Sequence, residues 1–131
     1  MKKNSNELSA ADFRKQYVDQ QEHGLQKRCV DWFKRAYPQL IIAAIPNAAK
    51  RSPGLARQLL DEGLLAGFPD TIIPFPCGEY HGLFAELKTV NGTVSIQQAA
   101  IHALLRAFGY VVIIPRTFEE FQSQVNDYLH P

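Results

Sequence analysis

The sequence predicts an α/β domain with a mixed central β-sheet flanked by helices. Three observations point there. Short apolar and β-branched runs of strand length occur at Leu40–Ile45, Thr71–Ile73, Leu83–Lys88 and Tyr110–Ile114. Stripes of helical period with capping residues lie between them. The resulting order is helix, strand, helix, hairpin, helix, strand, helix, and strands packed between helices give a layered fold.

The elements follow in turn. Ser9-Ala10-Ala11-Asp12 has the pattern of a capping box, so a helix starts there. Leu25, Cys29, Trp32, Phe33 and Ala36 share one stripe of a helical segment that Pro38 ends, with Gly24 expected to separate or kink it from the first. Leu40–Ile45 reads as a continuous buried strand closed by Pro46. Pro53 suits the first turn of a helix to about Glu62, and Gly63 its end. Ser95 caps a helix through about Phe108, with Ala99, Ala100, Ala103, Leu104, Ala107 and Phe108 expected inward. Tyr110–Ile114 is expected to be a buried strand. Thr117-Phe118-Glu119-Glu120 opens a last helix that turns Phe118, Phe121, Val125, Tyr128 and Leu129 inward.

Composition limits the function. A chain of 131 residues with 46% hydrophobic content fits one domain with a single core, expected over 9–131 after a disordered stretch at 1–8. The net charge of +1 means that any surface for nucleic acid must be local. No apolar run is long enough to span a membrane, and the polar start lacks a signal-peptide core. Cys29 and Cys77 are expected as free thiols, so the expected location is the cytoplasm of a bacterial or phage-infected cell. The four histidines show no zinc spacing.

The stretch from Gly67 to Gln98 carries the chemistry. If Thr71–Ile73 and Leu83–Lys88 pair as an antiparallel hairpin centred near Gly78, Asp70 faces Glu86 on one side of the sheet. Lys88 emerges on the same side roughly 7 Å further along. A one-residue slip would separate the pair. Facing carboxylates destabilise a strand pair unless a cation lies between them, and all-oxygen ligands suit Mg2+ or Mn2+. The plain alternative is a turn aspartate and a solvated Glu-x-Lys face. Lys50, Arg51 and Arg57 form the most basic stretch, and a solvated loop or a phosphate contact explains them equally well.

These residues resemble the virus-type replication-repair nuclease (VRR-NUC) family of the PD-(D/E)xK nuclease superfamily, in its stand-alone phage and bacterial type. The matching pieces are Glu22 in an early helix, Ile45-Pro46-Asn47, Gly67-Phe68-Pro69-Asp70, Glu86-Leu87-Lys88, Ser95 with Gln98, and Gly109-Tyr110 before a β-branched run. The resemblance implies a restriction-endonuclease-like α-β-β-β-α-β core and metal-dependent hydrolysis of phosphodiester bonds. It implies Asp70, Glu86 and the Leu87 carbonyl as ligands, with Glu22 serving a second metal directly or through water. Lys88 would orient the attacking water or hold transition-state charge, and Gln98 would position Lys88 or the water. Asn47, Lys50, Arg51, Arg57 and Ser95 are the expected DNA contacts. Stand-alone members look like Holliday-junction resolvases, which implies branched DNA and a homodimer, with Pro74-Phe75-Pro76 as one possible interface. A monomeric flap-type or non-specific nuclease, a small-molecule phosphohydrolase and a catalytically silent nucleic-acid-binding module are the alternatives. The missing glycine-rich phosphate cradle counts against the phosphohydrolase, and the intact acidic pair and lysine count against the silent module.

Overall fold

The computed structural model describes residues 9–46 and 52–131. The expectations for residues 1–8 and for Asn47, Lys50 and Arg51 lie outside the described residues.

Helix α1 (Ala10–Ala36) begins where the Ser9 hydroxyl accepts the Asp12 N–H at 3.1 Å. It continues unbroken for 27 residues, roughly 40 Å. The break expected at Gly24 is absent: a Cβ there would meet nothing within 4 Å, so no neighbour forces a kink. Strand β1 (Ala43–Ala44) and helix α2 (Pro53–Asp61) follow, α2 starting on Ser52 with Pro53 in its first turn. Then come β2 (Thr71–Ile73), β3 (Leu83–Ala85), α3 (Ile96–Ala107), β4 (Val111–Ile113) and α4 (Phe118–Leu129). Thr117 caps α4 through the Glu120 N–H at 3.1 Å, while the Glu120 carboxylate takes the Arg116 N–H at 2.7 Å.

The sheet order is β1-β2-β3-β4, with the first two pairings antiparallel and β3–β4 parallel. This is the expected mixed sheet between helices. Pairing to the β4 side continues beyond β3, since Glu86 N–H donates to the Ile113 carbonyl at 2.9 Å and Lys88 N–H to Pro115 at 3.3 Å. The Leu40–Ile45 run departs from expectation. Only Ala43 and Ala44 form a strand, and both are exposed at the edge of the sheet. An edge strand needs apolar residues less than a central one does, so hydrophobicity alone misplaced it.

Alternate residues divide the core between the two faces of the sheet. Leu83, Ala85 and Leu87 of the β3 segment join Ile73 and Ile113 against Cys29 and Phe33 of α1 and Phe121, Val125 and Tyr128 of α4. The α4 residues therefore point inward as expected. On the other face Phe84 and Val112 meet Leu105 of α3, with Ile45, Phe68, Ile72, Ile101 and Tyr110 around them. Here α3 corrects the expected stripe. Its buried residues are His102 and Leu105, whereas Ala99, Ala100, Ala103 and Ala107 are exposed, as are Leu104 (51%) and Phe108 (62%). The alanine-rich face mimicked a core stripe. The real inward face mixes polar with apolar residues because it covers polar strand positions.

Candidate active site

The β2–β3 register is the one expected from a turn near Gly78: Thr71 faces Ala85, Ile72 faces Phe84 and Ile73 faces Leu83. Pro69, one residue before Asp70, has no N–H and cannot extend the ladder. Asp70 closes it instead. Its N–H donates to the Ala85 carbonyl at 3.1 Å, and its Oδ2 accepts the Leu87 N–H at 2.7 Å. The Asp70 carbonyl takes the Ile45 N–H at 2.7 Å, which ties β1 to the same point. The aspartate backbone is thus held from both sides.

By strand alternation Asp70 shares the face of Ile72, while Glu86 and Lys88 share the face of Phe84. All three lie on the α3 side of the sheet. Glu86 is 1% exposed, and among the described residues no donor reaches either carboxylate oxygen; the Asp70 carboxyl is its hydrogen-bonding neighbour, and that bond needs a proton shared between the two. Burial, then the charge of Asp70 and a hydrogen bond to its carboxyl, push its pKa up to about 8; Lys88 opposes this rise and Glu22 adds to it. Glu22, half-buried on α1, comes from the other layer, and its charge is the smallest of those felt at Glu86. Lys88 is half-buried.

The donor set fits a hard divalent cation. Among the described residues no group of three or more His, Cys, Asp or Glu side chains is arranged to hold a metal. Two carboxylates do suffice for Mg2+, which keeps several waters of its own. The buried carboxyl of Glu86 is the observation that favours it: no donor among the described residues serves it, and its bond to Asp70 lasts only while the two share a proton, so once both are ionised two like charges face each other unless a cation joins them.

No family model matches the chain, and no curated protein sequence matches it. A solved structure described as a "VRR_NUC domain protein" aligns with it at a TM-score of 0.69 and 26% identity, over 82% of this chain and 87% of that one. The chain carries a VRR-NUC fold. The family indicated by its motifs and the family indicated by its shape agree.

Within the VRR-NUC fold two separated motifs meet at Gly67. Its φ is +87°, and a Cβ there would lie 3.1 Å from the Gln97 carbonyl carbon and the Gln98 nitrogen. Glycine lets the loop before Asp70 sit against the first turn of α3. That turn is a complete capping box: the Ser95 hydroxyl accepts the Gln98 N–H at 3.0 Å, and Gln98 Oε1 accepts the Ser95 N–H at 2.9 Å. Gln98 is half-buried; its amide N–H groups remain to donate to a water, whereas the donor-only Lys88 ammonium could use only the second lone pair of Oε1. Arg57 lies on α2 in an exposed ion pair with Asp61 at 3.3 Å.

Two residues beside the site had no role in the sequence reading. The Arg116 guanidinium donates to the carbonyls of Thr89 (2.9 Å), Val90 (3.5 Å) and Gly92, pinning the turn that follows Lys88. No local pattern signals this contact, which spans about 25 residues of sequence. His102 lies under α3, 1% exposed, with Nε2 unpartnered. Its signal was its spacing, one turn from Gln98 and one turn from Arg106.

Proposed function

We propose that this protein is a Mg2+- or Mn2+-dependent DNA endonuclease that cuts branched DNA, four-way junctions above all, as a homodimer. The observation that carries the catalytic reading is Glu86, buried beside Asp70 with no donor among the described residues to serve it, on the face that also bears Lys88. A solved VRR_NUC domain protein of the same fold supports nuclease chemistry.

In this reading Asp70, Glu86 and the Leu87 carbonyl hold the cation, and Glu22 serves a second ion or an intervening water. The bound cation supplies polarisation of the phosphate, a more acidic water and charge balance on the leaving oxygen. The protein's part is placement. The Asp70 Oδ2 bond to Leu87 N–H fixes the carboxylate relative to the β3 segment. The parallel pairing of Glu86 and Lys88 with Ile113 and Pro115 fixes how those side chains leave the strand. Lys88 then orients the attacking water or meets charge growing on the phosphate, an interaction strongest in the transition state. Ser95 and Arg57, with Asn47, Lys50 and Arg51, are the proposed DNA contacts.

Junction preference and dimerisation rest on the resemblance to stand-alone members of the family. A two-fold dimer would present two sites to opposing strands of a junction with matching symmetry. Phe75 remains 40% exposed, although its carbonyl is tied to the Tyr128 hydroxyl at 2.6 Å.

The test is Mg2+- or Mn2+-dependent cleavage of a mobile-core junction and of a flap, with Asp70→Ala and Lys88→Ala beside the wild type and light scattering at micromolar concentration. Asp70→Ala is expected to be inactive. Lys88→Ala is expected to retain metal and DNA binding and to lose ~10²–10³-fold in turnover. No cleavage of any DNA by the wild type with either metal would end the nuclease reading. A monomer that cuts flaps and ignores junctions would end only the junction and dimer parts.

A further inference from the structure

Gln98, His102 and Arg106 follow one another at one-turn intervals along α3. The first and last have partners, since Gln98 Oε1 accepts the Ser95 N–H and the Arg106 guanidinium donates to the Val112 carbonyl at 3.0 Å. His102, between them, is the most deeply buried of the three, and its Nε2 has no partner. A buried nitrogen left without a partner is costly. Leu105, the next buried residue of the helix, shows that this layer accepts an aliphatic side chain. A histidine kept for packing alone would therefore be a poor choice here.

The layer under α3 shows what the nitrogen faces. It holds the Asp70, Glu86 and Lys88 side of the sheet, and the charges of Lys88 and Asp70 both reach the imidazole. Lys88 brings three N–H donors to a half-buried position. Asp70 and Glu86 are its nearest anionic acceptors by strand position, but their oxygens are engaged once they hold a cation. A lysine facing a divalent ion then needs an uncharged acceptor. We propose that His102 is a positioning residue for Lys88: with Nδ1 protonated, its Nε2 accepts an N–H of the lysine ammonium when the carboxylates hold the cation, and so keeps the ammonium directed at the reacting phosphate.

The surroundings favour the neutral imidazole this requires. Burial, then the cationic Arg106 and Lys88, lower its pKa, with Asp70 opposing. The proposal rests on the metal-dependent reading above but makes a separate claim about two side chains.

His102→Leu and His102→Gln in the full-length protein test it. His102→Leu removes an orphaned polar atom, so it is expected to melt no lower than wild type. Its DNA KM should stay unchanged while kcat falls ~10–100-fold, the scale of a misplaced catalytic group. His102→Gln offers an amide oxygen as acceptor and should recover part of that loss. A second readout needs no turnover: with Mg2+ bound, the 15N resonance of His102 Nε2 should move between wild type and Lys88→Met. Wild-type kcat in His102→Leu, or an Nε2 resonance indifferent to Lys88→Met, would overturn the proposal. So would equal losses in both His102 variants accompanied by a lower Tm, which mark a packing role. If the wild type cuts no DNA, the nuclease reading fails, while the resonance still decides whether the two residues pair.

Discussion

The two faces of one strand segment do opposite things. From Leu83 to Lys88 the odd positions Leu83, Ala85 and Leu87 enter a continuous apolar core beneath α1 and α4. The even positions run from Phe84 through Glu86 to Lys88, passing from a small apolar cluster to an acid and a base beneath α3. Both faces are buried at Glu86 and Leu87, at 1% and 2% exposure. The contrast is therefore one of charge rather than depth. On the α1–α4 side Leu83, Ala85 and Leu87 meet hydrocarbon, and an unpartnered polar atom beside them is the neutral hydroxyl of Thr71, opposite Ala85. On the α3 side an ionisable carboxyl that no donor among the described residues serves, Glu86, and an imidazole with its Nε2 unpaired, His102, are buried. A protein tolerates such groups where something binds, and the filled face supplies the stability that makes the strained one possible.

The sharpest way to break the comparison is to empty the filled face. Phe121, fully buried on α4, packs edge to face with Trp32 of α1 at 6.0 Å between centroids. Phe121→Ala is expected to cost ~3–5 kcal/mol, read by urea or thermal unfolding. A loss below about 1 kcal/mol would show that this face is not the stabilising one.

The other face should respond with the opposite sign, and pH should expose it. Glu86 in the folded, metal-free protein titrates near 8, against 4.5 for its ordinary value. Between those values the folded state keeps a proton that the unfolded chain has lost, so stability falls as pH rises from about 4.5 through 8. Glu86→Gln should flatten that slope and make the metal-free protein more stable near pH 8 by roughly 2–4 kcal/mol. Mg2+ should stabilise the wild type most at the alkaline end, where the carboxylate is charged, and have little effect on the variant. A wild type that gains stability from pH 5 to 8 without metal would contradict this account of Glu86.

The comparison also separates what could be read in the sequence from what could not. The hairpin register was legible because Gly78 and the two apolar runs leave little freedom, and with it the shared face of Asp70, Glu86 and Lys88. The caps at Ser9, Ser95 and Thr117 were legible because they are local. The inward face of α3 was not. Periodicity assumes that a buried face is apolar, and this one carries Gln98 and His102 because it covers the polar end of the strands. The β1 edge failed for the complementary reason, with apolar residues lying exposed. Arg116, gripping carbonyls from Thr89 to Gly92, left no trace because nothing local pairs an arginine with a distant turn.

Gly67 joins the two halves of the site, and its replacement should have an intermediate effect. Gly67→Ala would force a side chain into a φ of +87° and against backbone at 3.1 Å. The expected cost is ~1–3 kcal/mol, together with a drop in turnover, because the loop bearing Asp70 must move away from Gln97 and Gln98. Equal stability and activity in Gly67→Ala would mean that the loop and α3 adjust independently.

The smallest effect is expected far from both faces. Arg57 and Asp61 pair on α2, which buries none of its residues, and both side chains are largely exposed. An exposed i,i+4 pair adds little to folding, so Arg57→Ala should leave Tm unchanged within error. Its proposed role is at a phosphate, and that has a separate signature. Each phosphate contact releases condensed counterions, so losing one lowers the slope of log affinity against log salt by about 0.9 for duplex DNA. Arg57→Ala should weaken binding to every branched DNA to a similar degree, with a salt slope smaller by about one contact. Titrations at several salt concentrations with the inactive Asp70→Ala protein as background would measure this without cleavage. An unchanged slope would make Arg57 a solvated helix residue, and the DNA path would then have to be sought away from α2.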